Sequence, residues 1–527
     1  MSFDPTDEIE YASIMPLERL SVLPECAKLY SEHYGIWGTS ASEKKKGKNV
    51  SLSIEMLNGW FLNDMTNLYV ARSKGKIIGY AIALRGNLPN HGIVSWVTQF
   101  VVHTEYRHNG IGSHLLRHIW GMSNDYAWGL ITANPYAVRA LEKATRRICA
   151  PTYISNSTKN HDGCKADKLL KFAEGKIVYV NKDMERVINK ETSQINTMFA
   201  IDHTGINDKI NSLICKGNSW NLGQLRECWE WFAFTFRNQT PFPLETSEII
   251  DILNNSEAYV KQAYKRMLGG VGSTDDGKPY AKHTSYEVDF IIKECCLDKE
   301  SVVFDFGCGN GRHSIELADK VSAVYALDYV EENISVCRSK AEYLPIKPIF
   351  HCADCRDVKL KEKADAVVCL YDVIGSYAIE DENKKIINSI ANNLKTGGRA
   401  IISVMNSQLT LGQITKFSFK EDPNALFRLE ASSTMQKTGE VFNPSLMLYD
   451  KDTGVFYRKE QFMLGSELPI ELIVSDRRYS ASSISSLCED AGLKVEFTRY
   501  VHSGDWETNL CPTSKRSKEI LLKCIKL

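Results

Sequence analysis

Val302-Val-Phe-Asp305-Phe-Gly307-Cys-Gly309-Asn-Gly311 decides the fold of this chain. A β-branched apolar run ends on a carboxylate, three glycines follow at alternate positions, and a helical pattern starts at once. Glycines make such a turn tight and open space for a ligand. The leading acid suits an amino acid or ribose portion better than a pyrophosphate. Downstream the pattern alternates: strand 301–306, helix 311–319, strand 322–327, helix 331–340, strand 348–352, strand 365–370, helix 381–394 and strand 399–405. Strands and helices alternating at this pitch predict an α/β unit with a parallel, doubly wound sheet. Asp328 closes the second strand, where a carboxylate can accept two ribose hydroxyls. Asp354 follows the third strand and Asp372 the fourth. Four acids therefore line one rim, the edge at which open α/β sheets bind ligands.

These residues resemble the class I S-adenosylmethionine-dependent methyltransferases. Asp305, Gly307, Gly309 and Gly311 fit that family's first motif, Asp328 its ribose-binding acid and Asp354 the acid near the adenine. Leu394-Lys-Thr-Gly397-Gly398 fits the turn before its fifth strand. The resemblance implies a Rossmann-like domain over 284–527 with S-adenosyl-L-methionine as cofactor. DNA amino-methyltransferases carry an N/D/S-P-P-Y/F motif after the fourth strand, whereas Tyr371-Asp372-Val-Ile-Gly375-Ser-Tyr377 has no proline, and the chain has no Pro-Cys dipeptide. This segment looks more like the small-molecule branch of the family. Residues 426–478 add strand-like segments around Tyr449–Gly454, an antiparallel insertion of the kind that roofs a substrate pocket. The last helix, 479–492, ends at a C-cap glycine and precedes a strand over 494–500. In-line transfer needs the nucleophile aligned with the methyl group. Candidates for its base are Asp372, His283, His313 and Tyr377. His283 lies just before the sheet, where many relatives keep a lid.

A second glycine loop, Arg107-His-Asn109-Gly110-Ile111-Gly112, follows a strand over 94–103 and opens a helix over 110–123. Helix N-termini carry unsatisfied N–H groups and partial positive charge, and two glycines let an anion come close. Asn134-Pro-Tyr136-Ala137 follows a strand over 128–133. Both segments resemble the GNAT family of N-acetyltransferases, in its R/Q-x-x-G-x-G/A loop and its N-x-x-A-x-x-x-Y motif. The resemblance implies a GNAT-like mixed sheet with helices over 1–205 and acetyl-CoA as cofactor. It places Arg107, Asn109, Gly110, Ile111, Gly112 and Asn134 at that cofactor. Two positions depart from the pattern. Leu141 stands where many members carry a tyrosine acid, and residues 94–102 contain no acidic base, Gln99 being the nearest polar residue. An amine must lose a proton to attack a thioester, which leaves Tyr136, Glu105 and His103 as candidates.

The chain has 527 residues, enough for two to four domains. Residues 206–283 read as a helical, aromatic-rich bridge between the two catalytic units, with helices at 222–235, 245–254 and 256–268. Trp220, Trp229, Trp231, Phe232, Phe234 and Phe236 are expected to pack an interdomain core there. Lys plus Arg number 64 and Asp plus Glu 65, a balance that argues against a chain built to coat nucleic acid or an anionic membrane. No apolar run reaches the ~18 residues of a membrane span, and the acidic N-terminus lacks a secretory h-region. A cytoplasmic protein with reduced cysteines is expected. His351, Cys352 and Cys355 cluster, but no second pair follows to complete a zinc site. The composite expectation is a bifunctional transferase acting on a small molecule, with no nucleic-acid or membrane partner and a homodimer left open. Two alternatives stand beside it: a methyltransferase whose degenerate GNAT-like domain binds substrate or regulates, and a non-catalytic, cofactor-sensing interaction protein.

Overall fold

In the computed structural model, which describes residues 9–155, 164–181, 183, 187–269, 281–433, 435–462 and 468–527, the chain forms two units, Met1–Asn255 and Ser256–Leu527. The first unit is built on one sheet. Its strands are β1 (Ile9–Ile14), β2 (Thr66–Ser73), β3 (Lys76–Leu88), β4 (Gly92–Val102), β5 (Ala127–Thr132), β6 (Ile188–Asn189), β7 (Gln194–Asn196) and β8 (Trp229–Phe236). They lie in the order β1-β2-β3-β4-β5-β8-β7-β6. β4 and β5 pair in parallel, from Val94↔Ala127 to Val97↔Leu130, and the pairing ends there although each strand runs on. β4 also bulges at Thr98, because Ile82 faces Gln99 while Ala83 faces Val97. Such a bulge bends the strand and re-aims the side chains after it. Leu115, Leu116 and Ile119 of the helix Ile111–Trp120, with Val138 and Leu141 of the helix Pro135–Thr145, pack on one face of the sheet. The helices Arg19–His33 and Lys165–Ala173 cover the other face.

The expected helical bridge needs correction. Residues 229–236 are not helix but strand β8, antiparallel to β5 and inside the first unit's sheet. Phe232, Phe234 and Phe236 fill one face, and Trp231 and Ala233 fill the other. A strand buried on both faces reads as a continuous apolar run, which periodicity cannot tell from a buried helix. The aromatic stretch is therefore core of one unit, with Trp96 edge-on to Phe232 and Phe234 at 5.6 and 4.8 Å between centroids. The helices expected at 245–254 and 256–268 are one, Thr246–Gly269. The β-branched stretch 176–181 (KIVYVN) is not a strand but forms turns closed by local bonds such as Val180 N–H to Ile177 O, with Ile177 and Val180 plugged into the core.

The second unit has the predicted alternation. Its main sheet contains β9 (Val302–Phe306), β10 (Ala323–Asp328), β11 (Ile349–Cys352), β12 (Ala364–Cys369) and β13 (Leu394–Met405), all parallel. An insertion follows: β14 (Thr415–Phe417), β15 (Ala431–Ser432), β16 (Met447–Asp450), β17 (Val455–Phe462) and β18 (Ile470–Arg477). It is mixed rather than purely antiparallel. β16, β17 and β18 pair antiparallel, while the short β14 and β15 pair in parallel with β16 and β17. After the helix Ala481–Asp490, β19 (Leu493–Val501) and β20 (Glu519–Lys526) return to the main sheet, whose order is β11-β10-β9-β12-β13-β20-β19. β20 runs antiparallel to β13 and was not anticipated. Among the described residues no helix is long and apolar enough to cross a membrane.

Candidate active sites

The order of the second sheet reverses direction between β9 and β12, which is the switch point where ligands bind in such folds. The glycine loop sits there. Gly307, Gly309 and Gly311 all adopt positive φ, at 73°, 55° and 82°. A Cβ on Gly307 would stand 2.5 Å from Val373 Cγ2, and one on Gly311 would stand 2.9 Å from Cys337 Sγ. Asp305 lies beneath the loop rather than on the open rim. It is 3% exposed, accepts the Ser314 hydroxyl, and has its carboxyl pushed up by burial, with His313 opposing. It ties the strand end to the first turn of the next helix.

Asp328 reaches into the loop. Its Oδ2 accepts Gly309 N–H at 3.0 Å, and its Oδ1 accepts Val330 N–H at 2.8 Å and Asn333 Nδ2 at 3.2 Å. Burial raises its pKa to about 6 against those donors. A carboxylate offers about four acceptor positions, so three internal donors leave room for a hydroxyl. Asp354 follows β11 and is clamped by Arg356, whose Nε and Nη2 lie 2.9 and 2.6 Å from its Oδ2. Arg356 also reaches Glu382 at 2.5 Å and lies 4.6 Å over the Tyr377 ring. Glycine loop, Asp328 and Asp354 thus share one rim and fit an adenosine-bearing cofactor.

Beyond the switch point lies a second polar group. Glu287 is fully buried and accepts from Arg312 Nη1 at 2.7 Å, His313 Nε2 at 2.8 Å and Tyr371 Oη at 2.7 Å. Burial works to raise its pKa, but those donors hold it below the ordinary carboxylate range. Tyr371 takes φ 58°, a rare conformation for a bulky residue and one that collects at functional sites. Asp372 is exposed, and its charge acts on both Arg478 and Glu519. Glu519 opens β20. It bonds Ser403, its Oε2 is shielded from solvent without a hydrogen-bond partner among the described residues, and burial pushes its pKa up to about 8. Sequence reading missed it, although an acid directly ahead of the apolar run Ile520-Leu-Leu522 was visible. His283 packs on Gly504, whose added Cβ would fall 2.4 Å from its Nδ1. His313 is committed to Glu287.

In the first unit the glycine loop caps the helix Ile111–Trp120. Gly110 is the N-cap at φ 78°, and no side chain among the described residues caps that end, which leaves the helix's first N–H groups without a side-chain partner. Gly112 packs on Phe100. Arg107 does not present its guanidinium to a ligand: Nε bonds Val102 O at 3.0 Å and Nη2 bonds His33 O. Asn109 bonds Arg107 O at 3.1 Å, and Asn134 caps the next helix by accepting Tyr136 N–H at 3.0 Å. Tyr136 lies edge-on to His108 at 4.5 Å. His103 packs on His33 at 3.8 Å, and its Nδ1 accepts Glu105 N–H at 3.3 Å. Leu141 is fully buried in the core. His103 and Glu105 thus lie together at the end of β4, while Tyr136 packs on His108. A residue outside the expected set stands out as well: Glu230 of β8 is 6% exposed, and burial raises its pKa to about 7. One acid inside Trp229-Glu-Trp-Phe-Ala-Phe was its signal in the sequence.

Residues 303–398 match the methyltransferase domain family and residues 64–144 the acetyltransferase (GNAT) domain family. The chain is 24% identical over 179 residues to the ubiquinone biosynthesis O-methyltransferase of Idiomarina loihiensis, covering 29% of this chain and 72% of that protein. It is 26% identical over 126 residues to the dTDP-3-amino-3,4,6-trideoxy-alpha-D-glucopyranose N,N-dimethyltransferase of Streptomyces venezuelae, covering 24% of this chain and 51% of that protein. Among solved structures, the CcbJ methyltransferase of Streptomyces caelestis is 14% identical with a TM-score of 0.35, covering 48% of this chain and 98% of that one.

Proposed function

We propose, proceeding from a chain that carries an acetyltransferase (GNAT) domain ahead of a methyltransferase domain, that it is a bifunctional transferase. The second unit methylates a nitrogen or oxygen of a small molecule, and the first acetylates an amine. One observation carries the methyl-transfer half: the positive-φ glycine loop, Asp328 and Asp354 sit at successive strand ends around the switch point. S-adenosyl-L-methionine, when bound there, supplies an electrophilic methyl group. Asp328 would hold its ribose hydroxyls, the loop would admit its amino acid portion, and Asp354 would lie toward its adenine. The acceptor belongs on the Asp372 and Glu519 side of the rim. There a carboxyl with its pKa near 8 can take up the proton that the nucleophile loses. The proline-free Tyr371–Tyr377 segment and the balanced charge support a small acceptor, with neither nucleic acid nor a membrane surface as partner.

Acetyl-CoA is the cofactor implied for the first unit, and the uncapped Gly110 helix end with Gly112 behind it fits its pyrophosphate. Buried Leu141 and the internally bonded Arg107 favour a second reading, in which this unit binds a ligand without turning it over. Calorimetry with both cofactors on wild type, Gly110→Glu and Asp305→Ala separates the two. Acetyl-CoA binding lost only in Gly110→Glu, with S-adenosyl-L-methionine binding lost only in Asp305→Ala, is expected. No acetyl-CoA binding by wild type would sink the bifunctional reading. A metabolite screen with labelled S-adenosyl-L-methionine then identifies the acceptor.

A further inference from the structure

The face of the first sheet opposite the glycine-loop helix carries polar groups that no part of the cofactor reading uses. Tyr80, Ile82 and Leu84, alternate residues of β3, bring the clusters under the helices Arg19–His33 and Lys165–Ala173 onto this one face. On β4, the bulge at Thr98 turns Gln99 to the same face as Val101, while Phe100 and Val102 join the opposite face. On β8, alternation puts Glu230 on the face of Phe232 and Phe234. Both residues flank the place where β4 and β5 stop pairing. Gln99 lies two residues past Val97, and Glu230 accepts the backbone N–H of Ala133, next after the end of β5.

Their hydrogen-bonding state is unusual for buried groups, which are nearly always satisfied. Gln99 is 7% exposed and its Oε1 has no partner among the described residues; Tyr80 is fully buried and its Oη has none. Among the described residues, Glu230 takes its hydrogen bonds from neutral groups, Ala133 N–H and the Thr197 side chain. The titratable groups facing it are Tyr30 and Tyr34 at the end of the N-terminal helix and Tyr179 from the turn before β6, with Tyr80 acting through Tyr34. The Glu230 carboxylate and the unpartnered amide oxygen of Gln99 are acceptors on one face of the sheet, and the tyrosine hydroxyls near the carboxylate can accept as well as donate, which suits an ammonium group.

We infer that this cluster is the acceptor site of the first unit, that it takes a primary amine, and that the Glu230 carboxylate removes the amine's proton. The assignment rests on the acetyl-CoA reading above. An ammonium loses two protons on its way to an amide. A nitrogen–carbon bond forms at the thioester carbonyl as the carbon–sulfur bond breaks; one proton leaves with the thiol, and the other passes through Glu230 to solvent. Burial brings Glu230 to about 7, near the working pH at which a base is most effective. Gln99 Oε1 accepts an N–H of the incoming amine and positions it.

The test uses the full chain, acetyl-CoA, and ethanolamine, putrescine, glucosamine and tyramine as acceptors, with water in the blank. Calorimetry reads the acetyl-CoA Kd, thiol release reads the rate, and melting temperature reads stability across neutral pH. Glu230→Gln is expected to keep the Kd within about twofold and to lower thiol release about 100-fold or more. It should also abolish the limb that rises through pH about 7, with Glu230→Asp restoring part of the rate. Independently of turnover, Glu230→Gln should gain melting temperature relative to wild type as pH rises from about 5 to about 7, because only the wild type must ionise a buried carboxyl. No acetyl-CoA binding by wild type overturns the cofactor reading and the assignment together. Binding without thiol release on any acceptor, or Glu230→Gln with the wild-type rate and pH profile, overturns the assignment alone.

Discussion

Asp328→Asn separates what the loop needs to fold from what it needs to bind. The wild-type carboxylate satisfies Gly309 N–H at one oxygen and Val330 N–H and Asn333 at the other. An asparagine keeps one oxygen. The cheaper orientation turns the NH2 toward Gly309 and leaves one buried donor unmet, at about 1–3 kcal/mol. Against this, the wild type ionises a carboxyl that burial has moved from 3.8 to about 6. Two pH units correspond to about 3 kcal/mol, which the amide escapes. The two terms nearly cancel near neutral pH, so apo Asp328→Asn should melt within a few degrees of wild type. Because the raised carboxyl favours the fold only while protonated, the variant should lose ground as the pH falls from about 6 toward about 4. Binding does not cancel. Hydrogen bonds to a charged acceptor contribute about 1.5–3 kcal/mol, so losing the carboxylate's bonds to the ribose should weaken S-adenosyl-L-methionine about 10- to 100-fold. The wild-type Kd should also rise as pH drops below about 6, by up to about tenfold per unit, while the variant's stays flat. Calorimetry across that range is the assay. A pH-independent wild-type Kd, or a variant Kd within about twofold of wild type, would refute the role given to Asp328.

Gly307→Ala should fold poorly and lose S-adenosyl-L-methionine binding, since it meets Val373 Cγ2 at 2.5 Å and requires φ 73°; strain and overpacking together cost roughly 2–5 kcal/mol. Val373→Ala in the same chain should recover part of the melting temperature. Glu287→Gln should destabilise the second unit by about 3–5 kcal/mol, because it strips the buried charge that meets Arg312, His313 and Tyr371. Glu287 is held below the ordinary carboxylate range, so its contribution is present above that range and lost as pH falls; urea midpoints should fall in acid for wild type and less so for the variant. Glu519→Gln should keep the S-adenosyl-L-methionine Kd and remove the limb of methyl transfer that rises through pH about 8, read from pH–rate profiles on whichever acceptor the metabolite screen yields.

The second unit was legible in sequence because each of its motifs is local. Asp305 and its glycines span a single turn, and Asp328 stands at the end of the next strand, so strand, loop and helix declared themselves together. The first unit's loop was legible for the same reason. Misreadings came where tertiary context decides. In β8, apolar residues on both faces erase the two-residue period. At 176–181, β-branched residues that resemble a strand instead plug the core from a turn whose backbone bonds to itself. The side chains at the loops were also only partly legible: sequence names Arg107 and Asp305, but only the fold shows the first turned to main-chain carbonyls and the second buried under its own loop.

Glu230 and Glu519 escaped for a topological reason that they share. Parallel strands end at the ligand-binding rim, so an antiparallel neighbour begins there. β8 runs antiparallel to β5 and β20 antiparallel to β13, which puts their opening residues, Trp229-Glu230 and Glu519, beside the C-terminal ends of those strands. Glu519 pairs with Met405, the last residue of β13. Each strand enters from far along the chain, so no local spacing connects Glu519 to the Asp305 loop or Glu230 to the Gly110 loop. What marks both is a broken local rule: an acid at the head of a strand directly ahead of large apolar residues, where burial raises its pKa toward neutrality. Such violations persist where function holds them. In both units the base candidate is thus supplied by the returning antiparallel strand, while the cofactor candidates come from the loops that follow parallel ones.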